Sequence, residues 1–62
     1  MTREQAKQAL KDGYKITHQY FTEDEYVGLF DGIICDENNI PRLMFWEHRV
    51  GSGWDEGWEI VE

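Results

Sequence analysis

Three side chains in this sequence could hold a soft metal or form a nucleophile and base: His18, Cys35 and His48. Zinc sites bring ligands in closely spaced pairs, and no two of these residues make such a pair. Cys35 ends the apolar run Ile33-Ile34-Cys35 with no cation beside it, a setting in which a thiol packs rather than reacts. The carboxylates of Glu23-Asp24-Glu25 and Asp55-Glu56 could in principle supply an acid and a base, but both runs fall in polar turns, without the apolar surroundings such catalysts need. Gly51-Ser52-Gly53 with Gly57 only loosely resembles a phosphate loop. Two acids follow where a helix should begin, so a chain reversal is expected there, with an anion-cradling backbone nest left open. No catalytic residue, metal site or cofactor is expected.

The aromatic residues carry more. Nine of the 62 side chains are Phe, Tyr or Trp, and each can bury roughly 150–250 Å². Phe21, Phe45, Trp46 and Trp58 are expected to build the core, while His18, Tyr20 and Trp54 are expected to keep a polar edge near solvent. Aromatic faces beside cations are how proteins stack nucleobases without reading a duplex. The candidate ligand-binding set is therefore Lys15, His18, Tyr20, Phe21, Arg49 and Trp54, with Tyr20, Phe21 or Trp54 stacking a base and His18, Lys15 or Arg49 meeting phosphate.

These side chains must be positioned by short elements. Thr2 with Gln5 three residues on forms a capping box, Met1 can pack on Ala6 as a staple, and Ala6, Ala9 and Leu10 make one apolar stripe. The pattern predicts a helix over 3–11, stopped at Gly13. Alternation from Tyr14 to His18 predicts a strand with Tyr14, Ile16 and His18 on one face. A polar break at 22–25 precedes a hairpin of Tyr26–Phe30 and Ile33–Cys35 around Asp31-Gly32, the two-residue turn favoured in tight hairpins. Gly28 weakens the first of these strands unless something large lies across it. Pro41 suits the start of a short helix near 41–50, although Leu43–Trp46 would also pass as a buried strand. A last strand is expected at Trp58–Val61. The fold class is α+β: an N-terminal helix packed on a small antiparallel sheet, in a single domain spanning 1–62.

So small a chain buries only about 60% of its unfolded surface, and its single cysteine allows no internal disulfide. Self-association into a homo-oligomer is the expected remedy. No apolar run approaches the length of a membrane span, so no membrane partner is expected and a cytoplasmic location is. Charge is uneven: residues 1–20 carry four bases against two acids, whereas residues 21–62 carry eleven acids against Arg42 and Arg49 alone. A surface of that sign repels nucleic acid and suits cationic partners.

The capped helix ending in Leu10-Lys11-Asp12-Gly13, the strand Tyr14–His18 running into Tyr20-Phe21, the hairpin and the closing Trp58-Glu59-Ile60-Val61-Glu62 together resemble small phage and prophage proteins. More narrowly, they are similar to the Thoeris anti-defence sponge family, which sequesters cyclic ADP-ribose signals made by bacterial immune enzymes. By position, Leu10, Gly13, Ile16, His18 and Phe21 would answer to that family's helix end and first strand, and Trp58, Ile60 and Val61 to its last strand. Phe21 stands where a Trp is usual, His18 where Arg is frequent, and most of the family's central segment is absent. The resemblance implies a non-catalytic oligomer in the host-cell cytoplasm whose aromatic side chains stack the bases of a cyclic nucleotide between subunits. Two other readings stand beside it: an acidic mimic of nucleic acid that blocks a host defence protein, and a phage structural or accessory protein.

Overall fold

The computed structural model describes residues 1–62. Helix α1 (Arg3–Lys11) is followed by strands β1 (Lys15–His18), β2 (Val27–Phe30), β3 (Ile33–Asp36) and β4 (Trp58–Val61), with a 3-10 turn at Ser52–Trp54. The four strands form one antiparallel sheet in the order β3-β2-β1-β4, and α1 packs against β1, β2 and β4. This is the α+β fold expected, with the helix on a small antiparallel sheet. No helix is long and apolar enough to cross a membrane.

Both ends of α1 are closed by the residues that the sequence singled out. Thr2 Oγ1 accepts from Gln5 N–H at 3.1 Å while Gln5 Oε1 accepts from Thr2 N–H at 2.9 Å, completing the capping box. At the other end Gly13, at φ +95°, lets its own N–H reach Leu10 O and lets Tyr14 N–H reach Ala9 O, both within 3.1 Å. That is the Schellman closure, which needs a left-handed residue after the cap. It also corrects the start of β1. Tyr14 spends its N–H on the helix end, stays outside the strand and leaves its ring about half exposed, so it does not join Ile16 in the core.

Register then sets the core. Ile16 lies opposite Val27 on one side and Ile60 on the other, and His18 lies opposite Trp58. Ala6, Ala9 and Leu10 of α1 meet Ile16, Val27, Phe45 and Trp58, with Met1, Phe21, Ile34, Trp46 and Trp54 packed around them. Asp31 and Gly32 take φ of 54° and 80°, the positive pair that a two-residue hairpin turn demands. The aliphatic stem of Lys15 lies across Gly28, where an added Cβ would meet Lys15 Cγ at 3.3 Å. Strand β2 begins at Val27, one residue later than expected, and β3 runs one further, to Asp36.

The segment 41–50 forms neither the helix nor the strand expected. Pro41 bridges Cys35 and Arg42 N–H donates to Ile34 O at 2.8 Å, so this stretch extends the sheet at the β3 margin before breaking into turns over 43–48. The apolar residues are consecutive, Leu43 to Trp46, and a helix would wrap them around most of its circumference. Only Phe45 is buried and Trp46 half-buried, and successive turns achieve that while Leu43 and Met44 face outward.

Candidate functional site

Residues far apart in sequence converge around His18. Its ring centroid lies 4.4 Å from that of Trp54, 4.6 Å from Trp58, 4.9 Å from Tyr20 and 6.1 Å from Phe21. Tyr20 N–H donates to His18 Nδ1 at 3.1 Å, so Nδ1 is the acceptor and Nε2 carries the hydrogen that it donates to Glu56 O at 2.6 Å. Gly53 and Gly57 let this happen: the Tyr20 ring occupies the space of a Gly53 side chain, and His18 that of a Gly57 side chain. The glycine-rich stretch is thus a wrap around an aromatic cluster, and the chain reversal expected there is what it provides.

His18 is only 3% exposed and both ring nitrogens are engaged, which corrects the expectation that it keeps a polar edge near solvent to meet phosphate. It fixes the cluster from beneath. Tyr20 is 60% exposed, stands edge-on to Trp54 at 5.2 Å and rests its inner edge on Gly53. Phe21 and Trp54 are half-buried. Lys15 does not join them. It points from the opposite face of β1 toward Tyr26, whose ring centroid lies 5.2 Å from its Nζ.

Arg49 links the cluster to a groove. Its guanidinium lies 4.0 Å from the Phe45 ring centroid, 5.2 Å from Trp54 and 5.5 Å from Phe21, and Nη1 donates to Phe45 O at 3.0 Å. Burial draws its pKa below the ordinary value, with Glu25 opposing and Arg42 adding to the shift; the group is cationic nonetheless. Beyond Arg49 an open groove of about 580 Å³ runs between Glu25 and Val27 on the sheet side and Glu37, Arg42, Leu43, Met44, Phe45 and His48 on the other. That volume is in the range of small-molecule sites. Leu43 and Met44 offer it exposed apolar surface, and Arg42, His48 and Arg49 offer hydrogen-bond donors.

Asp36 organises one end. Oδ1 accepts from Asn38 N–H at 2.9 Å and Ile40 N–H at 3.0 Å, and Oδ2 accepts from Arg42 Nε at 3.0 Å and Nη2 at 2.7 Å. The Ile40 N–H bond foremost, with Asn38 and Arg42, holds the carboxyl pKa below its ordinary 3.8 against the opposing effect of burial. A lowered folded pKa means that the stabilisation is complete above the ordinary value and is lost as pH falls through the folded one. Urea unfolding midpoints should therefore drop below about pH 4 in the native protein. Asp36→Asn should lower the midpoint at neutral pH and shrink that acid-dependent drop; an identical pH profile in the variant would refute this role.

His48 stood out in the sequence only as a possible metal ligand, and Arg42, Glu37, Leu43 and Met44 were not singled out as ligand groups. The available signal was that Arg42 and Arg49 are the only Lys or Arg residues after position 20. No protein-family model, no curated protein and no solved structure matches this chain.

Proposed function

We propose that this is a non-catalytic binding protein that sequesters a cyclic-nucleotide signal, a counter-defence sponge of the kind its two ends resemble. The observation that carries the reading is Arg49, a flat cation laid on aromatic rings at the wall of a nucleotide-sized groove. Such a group stacks on a base or pairs with phosphate in its plane. The clearest buried carboxylate, Asp36, is fully occupied by four donors and Cys35 is buried, so neither is placed to act as a base or nucleophile. Self-association belongs to the same reading and is supported by ten large apolar side chains left substantially exposed in one copy.

A thermal-shift screen against cyclic ADP-ribose isomers, cyclic dinucleotides and mononucleotides tests it. A ligand at 100 times its Kd stabilises by about 2.7 kcal/mol, a large shift for a domain of this size. Arg49→Met keeps the apolar stem and removes the flat cation; it should weaken binding tenfold or more, about 1.4 kcal/mol or above. If Tyr20→Ala abolishes binding and Arg49→Met does not, the ligand sits on the outer ring and the groove assignment fails. Absence of any nucleotide shift would favour the second reading, an inhibitor of a basic host protein. The eleven acids that residues 21–62 carry against two arginines support that alternative. It predicts capture of a host partner that is released as salt rises.

A further inference from the structure

The sheet has a second face. Strand parity sends Ile16, Val27 and Trp58 toward α1, and Lys15, Gly28 and Phe30 to the opposite side. There a shallow pocket of about 170 Å³ lies between Tyr26 and Phe30, which flank Gly28, and is completed by Lys15, Cys35 and Asn39. Its floor is Gly28 and, opposite it on β3, Cys35, with the Lys15 stem crossing one side. Lys15 brings charge to this pocket without a counter-ion. The ion pairs of the protein are Arg3–Asp55, Lys7–Glu4 and Arg42–Asp36, whereas Lys15 Nζ lies 5.2 Å from the Tyr26 ring centroid. The one carboxylate that borders the pocket, Asp36, already has both oxygens engaged.

We infer that this face holds a second site, for a single aromatic ring bearing one carboxylate, with the ring lying on Gly28 between Tyr26 and Phe30 and the carboxylate on Lys15 Nζ. Size, shape and charge each narrow the class. Sites for drug-sized molecules run from roughly 300 to 1,000 Å³, so a pocket of about 170 Å³ admits one ring and refuses a nucleotide. A glycine in mid-strand lets a ligand approach the backbone closely, and aromatic rings on either side favour a flat body. One unpaired ammonium on a chain of net charge −7 balances one negative charge, while a phosphate dianion would keep a surplus in a repelling field. The site lies across the sheet from the Arg49 groove and does not depend on what that groove binds.

The test is an amide-resolved NMR titration with phenylacetate, using phenylacetamide as the ring without the charge and acetate as the charge without the ring. Phenylacetate should shift the amides of Lys15, Gly28 and Cys35 saturably and bind at least about threefold more tightly than either control, within what one solvent-exposed ion pair supplies. Lys15→Met keeps the stem across Gly28 and removes the ammonium; it should bring phenylacetate down to the level of phenylacetamide with an unchanged thermal melt. The comparison of the three probes on the native protein stands without the variant. No saturable shift, equal binding of phenylacetate and either control, full affinity in Lys15→Met, or shifts gathered at Phe45 and Arg49 in place of Gly28 would each overturn the assignment.

Discussion

Trp58→Ala is expected to leave a chain with almost no cooperative unfolding transition. Trp58 is the largest fully buried side chain, with no residual exposure, and its ring neighbours His18, Phe21, Phe45, Trp46 and Trp54 at centroid distances of 4.6 to 6.0 Å. Its Nε1–H also donates to Trp54 O at 2.7 Å, holding the 3-10 turn against the sheet. Truncating a buried Trp costs about 3–5 kcal/mol, and a core of this size rarely supplies more than about that in total. Near-ultraviolet circular dichroism and urea titration would show it. Trp58→Phe should retain much of the ring packing and lose mainly the hydrogen bond, about 1–2 kcal/mol. A cooperative transition in Trp58→Ala with a midpoint near the native one would remove Trp58 from the centre of the core.

The second large effect is expected at Gly57. Its φ is +93°, and an added Cβ would lie 3.0 Å from His18 Nε2 and from Gln19 Cδ. Gln19 can swing aside, but His18 cannot, because the same Nε2 atom donates to Glu56 O. Gly57→Ala should combine roughly 1–2 kcal/mol of left-handed strain with about 1 kcal/mol from the displaced hydrogen bond. Gly13 is the control: its φ is +95°, yet nothing lies within 4 Å of the added Cβ, so Gly13→Ala bears the strain alone. The difference between the two urea-derived stabilities measures how tightly His18 is held. If the two variants lose the same amount, the His18 contact is soft.

The sequence made the local devices legible and left their partners hidden. The capping box of Thr2 and Gln5, the stop at Gly13 and the turn at Asp31-Gly32 are each specified within a few residues, and each formed as read. Strand edges moved by one residue where Tyr14 N–H had a competing use in the helix end. Residues 41–50 were misread because four consecutive apolar residues fit two periods equally, and the decision came from what β3 needed at its margin. The site fared similarly. Clustering of Tyr20, Phe21, Trp54 and Arg49 was legible as aromatic and cationic content, whereas burial of His18 depended on Glu56, 38 residues away.

Strand β4 pairs only with β1, and Trp58 exchanges backbone hydrogen bonds with Met1 across 57 positions, while Arg3 binds Asp55 through backbone and side chain. Local contacts can form the β2–β3 hairpin and the capped helix early, but neither has a buried centre until residues 58–61 dock along β1 and under α1, bringing in Trp58. Closing so long a loop is the slow, entropically costly step. A chain truncated before Trp58 would thus expose the aromatic cluster as a sticky, unfolded surface. Folding of this domain therefore waits on its last strand.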